Sequence, residues 1–172
     1  TLQSEISGTP LHGLLGGEAR EVVAGADFGI QDSYDMLLGN IGQAVDAGFP
    51  RIKLKVAPGW DREMLQIVCR TFPDMTFHID CNSGYTLDDL SFFKAIDGLG
   101  LAFIEQPLHY MDVLDHAELA RQLETPICLD ESIVDARSAE QAIRVGACKY
   151  INIKPGRIGG LTNALQVHDM AR

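Results

Sequence analysis

Apolar and polar positions along the chain change period repeatedly. Short β-branched runs predict strands at 21–25, 51–56, 76–82, 101–106, 127–131 and 150–154. Between them, apolar residues three and four apart predict amphipathic helices. The stretch 33–48 carries Met36, Leu37, Ile41, Ala44 and Val45 on one stripe, and 61–72 carries Met64, Leu65 and Val68. The stretch 86–96 opens on Thr86 with Asp89 three residues on, a capping-box arrangement. Further helical patterns lie at 112–123, 138–145 and 160–170. Six strands alternating with six helices predict an α/β fold with parallel strands shielded by helices.

A second period lies on top of the first. Lys55, Asp80, Glu105, Asp130 and Lys154 fall at or near the carboxyl ends of successive strands, at steps of 25, 25, 25 and 24 residues. That interval is one βα unit, and the carboxyl ends of parallel strands are where α/β folds place their sites. A doubly wound open sheet would call for a glycine-rich phosphate loop after an early strand. The only such run, Gly156-Arg157-Ile158-Gly159-Gly160, follows the sixth strand. A TIM-type (β/α) barrel directs every strand end at one centre and accounts better for the spacing. A full barrel takes about 250 residues. The 172 residues therefore read as a partial barrel of about six βα units, with 1–20 as a linker or helix leading in and 21–172 as the catalytic barrel.

Strand alternation puts Lys53 with Lys55 on one face, Asp80 with Asn82, Cys128 with Asp130, and Asn152 with Lys154. Asp80, Glu105 and Asp130 come from adjacent strands and would repel one another without a cation between them. Oxygen ligands without His or Cys select Mg²⁺, with Mn²⁺ as the substitute. The blander alternative makes these acids helix caps or solvated loop charges. Lys55 and Lys154 sit on opposite sides of an eight-stranded ring and would flank a central ligand. Metal charge and partial desolvation favour a neutral amine in one or both, which makes a base available near neutral pH. Lys53 reads as a structural or electrostatic partner. Glu131 points away from Asp130 and is placed to orient a lysine, and Asn82 to support the metal or its water. His116 and His168 read as surface residues, and His78 as a packed core histidine.

Composition narrows the partners. Lys plus Arg is 14 and Asp plus Glu is 24, for a net charge of −10, which disfavours nucleic acid and anionic membrane surfaces. A small carboxylate substrate remains compatible where local lysines compensate. The four cysteines form no CxxC pair, which points away from a zinc site or a disulfide-dense secreted fold and toward reduced thiols in a cytoplasmic protein. No signal peptide is visible at residues 1–10, and no apolar run approaches about 18 residues.

Five phrases carry a family likeness: Arg-Ile-Lys-Leu-Lys-Val at 51–56, Asp-Cys-Asn-Ser at 80–83, Ile-Glu-Gln-Pro-Leu at 104–108, Ile-Cys-Leu-Asp-Glu-Ser at 127–132, and Ile-Asn-Ile-Lys-Pro-Gly-Arg-Ile-Gly-Gly at 151–160. Together they resemble the barrel domain of the enolase superfamily, muconate-lactonising subgroup. Within it the likeness is to the o-succinylbenzoate synthase and N-succinylamino acid (N-acylamino acid) racemase branch. The resemblance implies Asp80, Glu105 and Asp130 as Mg²⁺ ligands, Lys55 as general base, Lys53 as its assistant and Lys154 as the lysine on the opposite face. It implies proton abstraction α to a carboxylate. In a synthase of menaquinone biosynthesis the step is a dehydration. In a racemase the two lysines alternate as base and acid. Muconate cycloisomerase and dipeptide epimerase are the alternatives within the superfamily, and a non-catalytic truncated fragment is the alternative outside it. The family plan also includes an N-terminal capping domain and two further barrel strands beyond the six counted here, and it implies a homo-oligomeric parent. Asp27, expected just after the first strand, stands where relatives typically carry a small residue such as Ser.

Overall fold

The computed structural model describes residues 1–172. Two short helices, α1 (Leu2–Ser7) and α2 (Leu11–Leu14), bury no side chain. The βα repeat then runs β1 (Ala26–Phe28), α3 (Tyr34–Asp46), β2 (Arg51–Lys55), α4 (Arg62–Thr71), β3 (Thr76–Asp80), α5 (Leu90–Ile96), β4 (Ile104–Glu105), α6 (Val113–Gln122), β5 (Ile127–Leu129), α7 (Ala136–Val145), β6 (Tyr150–Ile151) and α8 (Leu161–Met170). The strands form one sheet in sequence order, every neighbouring pair parallel. All carboxyl ends therefore point the same way, and β1 and β6 are the edges. No helix is long and apolar enough to cross a membrane.

The core follows from strand alternation. Ile52 and Leu54 of β2 are buried, and they join one apolar cluster with Leu37 and Ile41 of α3 and Met64, Leu65 and Val68 of α4. Lys53 and Lys55 lie on the opposite face of the same strand. Burying such a cluster under amphipathic helices is the main favourable contribution to this fold. The helix starts are capped locally: Ser33 Oγ accepts from Met36 N at 3.2 Å, and the expected Thr86–Asp89 capping box is present. Asp135 and Ser138 form a second capping box, so α7 starts at Ala136, two residues before the predicted boundary.

Three expectations are corrected here. The first strand is not 21–25. That run is exposed, with Val22 at 84% and Val23 at 66%. Pairing begins only where β2 offers a partner, with Ala26 opposite Ile52. Asp27 consequently lies inside β1, in register with Lys53, rather than after it. Strand ends also come earlier than the apolar pattern suggests. β3 stops at Asp80 because Asn82 and Ser83 take φ of 43° and 63°, left-handed values that leave the ladder. β6 stops before Lys154 because the Lys154 carbonyl already accepts from Arg157 N at 3.0 Å, closing a turn.

The third correction concerns His116, which is fully buried rather than on the surface. Its Nδ1–H donates to the Asp112 carbonyl at 2.9 Å, and its Nε2 accepts from Leu108 N at 3.2 Å. Burial holds the imidazole below its ordinary pKa of 6.5, against the raising influence of Asp112. The unfolded chain therefore takes up this proton first as pH falls. His116 contributes stability that is fully present above about pH 6.5 and is lost as pH falls through that value toward the lower folded pKa. The denaturant midpoint should drop between about pH 7 and 5, and drop less steeply in His116→Asn. Parallel slopes for the two proteins would contradict this assignment.

Candidate active site

The register explains how the charged residues meet. Lys55 pairs with Asp80 and Asp80 with Glu105, so three of the five periodic residues share one row. The row then continues to Cys128 and not to Asp130. Asp130 stands two residues further along its strand direction, just past the end of β5. A slip of two residues keeps a side chain on the same face. The even 25-residue spacing thus conceals a step toward the mouth of the sheet at β5.

The three carboxylates are almost wholly removed from water, at 1% exposure for Asp80, 2% for Glu105 and 0% for Asp130. Each is met by cations or amides. Lys53 Nζ donates to Asp80 Oδ2 at 2.7 Å and to Glu105 Oε2 at 2.9 Å. Lys55 Nζ donates to Asp80 Oδ2 at 3.1 Å and also to Asn82 Oδ1. Asn152 Nδ2 donates to Glu105 Oε1 at 2.8 Å. Lys154 Nζ and Arg157 Nη2 take the two oxygens of Asp130. Arg157 also donates to the backbone carbonyls of Asp130 at 2.6 Å and Ile133 at 3.1 Å, tying the loop after β6 to the loop after β5.

The electrostatics follow from these contacts. Burial alone would raise the Asp80 pKa, but hydrogen bonds from Lys53, the Asn82 N–H and Lys55 outweigh it and hold the carboxyl below the ordinary range. Burial alone would likewise lower Lys53, but the Asp80 and Glu105 carboxylates outweigh it and hold the ammonium above the ordinary lysine range. Lys53 is thus a fixed cation.

Asn82 links two further residues. While its Oδ1 accepts from Lys55, its Nδ2 donates to Glu131 Oε1 at 3.0 Å. Glu131 therefore orients Lys55 through an intervening amide. His78 is buried beside the site, as expected of a packed histidine, with its ring 4.3 Å from that of Phe103. Burial, with the charges of Lys53 and Arg51, lowers its pKa to about 4. It lines a cavity of about 380 Å³ with Asp27, Lys53, Glu105, Tyr150 and Asn152.

The structure joins Asp80 and Glu105 through Lys53 and leaves Asp130 with Lys154 and Arg157. No three carboxylate, thiol or imidazole groups converge on one point in metal-binding geometry. The donor chemistry nevertheless fits a hard divalent cation: three buried carboxylates, together with Glu131 Oε2, a buried oxygen that no donor reaches. Sequence reasoning assigned no role to Gln106, Asn152 or Arg157. For Asn152 the usable signal was its place on the face of Lys154. For Arg157 it was its place in the turn that follows.

A parallel α/β sheet with its strands in sequence order, and with lysines and carboxylates gathered at the carboxyl ends, is the arrangement of part of a (β/α) barrel. Residues 38–172 match the enolase C-terminal domain-like family, and the chain belongs to that family. It is 46% identical over 170 residues to an N-succinylamino acid racemase of Thermus thermophilus, covering 99% of this chain and 46% of that protein. It is 47% identical over 163 residues to an o-succinylbenzoate synthase of Geobacillus kaustophilus, covering 95% of this chain and 44% of that protein. A solved enolase-superfamily member from Enterococcus faecalis V583 superposes with a TM-score of 0.92 at 38% identity, over 99% of this chain and 46% of that one. The chain thus spans less than half the length of these relatives.

The Asp130 contacts give a direct test. Replacing Arg157 with Met removes one counter-charge from a buried carboxylate and the donors to two carbonyls. It should lower stability by about 2–4 kcal/mol, read from chemical unfolding. A loss below about 0.5 kcal/mol would show that the loop clamp is not formed.

Proposed function

We propose that this site removes a proton from the carbon α to a carboxylate in a small acid. The reactions that fit this step are dehydration to o-succinylbenzoate, the step of menaquinone biosynthesis, racemisation of N-succinylamino acids, or both. Relatives bearing both names, at 46% and 47% identity, support the pair.

The observation that carries the reading is the contrast among three lysines. All three touch buried carboxylates, but their side chains are unequally open: 17% for Lys53, 38% for Lys55 and 50% for Lys154. Lys53 is committed to two carboxylates. Lys55 and Lys154, from β2 and from the turn after β6, are open to a ligand at the mouth. They are the groups that move protons, and Lys53 supplies standing charge.

Asp80, Glu105 and Asp130 would hold Mg²⁺, with Mn²⁺ as a substitute. When bound, the cation supplies positive charge where negative charge develops as the proton leaves. In the dehydration Lys55 takes the α-proton and returns it to the departing hydroxyl, and Lys154 remains a cation beside the reacting carbon. In racemisation one lysine takes the α-proton from one face, and the other delivers a proton to the opposite face. Asn82 and Glu131 hold Lys55 in line during both. The four cysteines are unpaired, which supports a reducing, cytoplasmic setting. A homo-oligomer of the longer protein is part of the same reading.

Replacing either lysine with Ala should lower racemisation by about 100-fold or more. Exchange of the α-hydrogen in deuterated water separates their roles. Lys55→Ala should lose exchange from one enantiomer, and Lys154→Ala from the other. Dehydration should fail in Lys55→Ala and only weaken in Lys154→Ala. Unchanged exchange of both enantiomers in either variant overturns the two-base assignment.

A further inference from the structure

Gln106 follows Glu105 directly and is fully buried. Its φ is 39°, in the left-handed region that residues with a Cβ avoid. Such a conformation persists only where the surroundings over-determine it, and here every polar group of the residue is engaged. The Gln106 backbone N–H donates to Cys128 O at 2.9 Å, and its carbonyl accepts from Ser83 N at 2.9 Å. Its side-chain Oε1 accepts from Asp130 N at 2.9 Å and from Ser132 N at 3.2 Å. Its Nε2 donates to Ser132 Oγ at 2.8 Å and to Leu108 O at 3.2 Å, and lies 3.4 Å from His116 Nε2. One residue therefore touches the loops that follow β3, β4 and β5, the strands that deliver Asp80, Glu105 and Asp130.

The register makes this contact consequential. Strand β5 ends at Leu129. Asp130, the carboxylate displaced two residues from the Asp80–Glu105 row, has its backbone N–H taken by the Gln106 amide oxygen and not by a neighbouring strand. Nothing else among the hydrogen bonds of this loop connects the Asp130 backbone to β4.

We propose that Gln106 is a positioning residue that fixes the Asp130 carboxylate relative to Glu105, and so sets the affinity of the three strand ends for a divalent cation. It rests on the cation reading given above. His116 supports it from behind, because its ring holds the Leu108 N–H while the Leu108 carbonyl receives the Gln106 amide.

The test measures Mn²⁺ binding to the purified protein by calorimetry. Wild-type protein should show one saturable site. Gln106→Leu leaves the Asp130 and Ser132 N–H groups without an acceptor, and should weaken binding by about 10–100-fold, as loss of an outer-shell partner does at other metal sites. Ser132→Ala removes only one anchor of the amide and should weaken binding by less. It decides the matter if Gln106→Leu does not fold. Ile41→Ala, on α3 and away from the strand ends, lowers thermal stability without touching the amide and should bind Mn²⁺ like wild type. Affinity in Gln106→Leu equal to wild type, or an equal loss in Ile41→Ala, overturns the proposal alone. If Gln106→Leu does not fold, unchanged affinity in Ser132→Ala does the same. Absence of saturable binding in wild-type protein overturns the cation reading and this proposal with it.

Discussion

Three carboxylates held out of water at the ends of neighbouring parallel strands impose the condition that organises the rest of the structure. An isolated buried carboxylate would take up a proton or disrupt the fold, so each needs cations and donors in fixed places. The chain meets this need sparingly. It has five lysines, and three of them are Lys53, Lys55 and Lys154. Lys53 spans Asp80 and Glu105, and Lys154 with Arg157 covers Asp130. The backbone bends to the same end. The three residues with a Cβ at positive φ are Asn82, Ser83 and Gln106, all immediately past the strand ends. Strain is concentrated where the charges are.

Much of this was legible in the sequence because two periodicities coincide. The helix and strand patterns fix a βα repeat, and the near 25-residue spacing of charged residues fixes which end of each strand matters. Lys55, Asp80 and Glu105 are found in one row, as that spacing implies. The spacing misleads at Asp130, because sequence distance does not report how far a strand slips past its neighbour. The 21–25 run misled for a related reason. Val22 and Val23 have strand propensity, but pairing depends on what β2 presents opposite them.

Other features were hidden by the same non-local character. Nothing in the composition of α6 marks His116 as buried, because its partners are a carbonyl one turn back and an amide N–H in the preceding loop. Gln106 lies in a phrase that points to its neighbour Glu105, and only the folded chain brings its amide to Asp130 and Ser132. Lys55 and Lys154 were expected to flank a metal, with a neutral amine in one or both, and Lys53 to be an electrostatic partner. In the structure all three lysines sit on carboxylates, and Lys55 and Lys154 differ from Lys53 in being more exposed and in meeting one carboxylate each where Lys53 meets two. Membership of the enolase C-terminal domain-like family agrees with this arrangement, in which the sheet supplies rigid strand ends and the loops beyond them supply orientation.

Lys53, Asp80 and Glu105 act as one coupled unit at the strand ends, beside the separate group of Asp130 with Lys154 and Arg157. A double-mutant cycle between Lys53→Met and Asp80→Asn, read by chemical unfolding, tests this coupling most directly. The expected coupling energy is about 2 kcal/mol or more. A coupling below about 0.5 kcal/mol, as exposed ion pairs give, would contradict it.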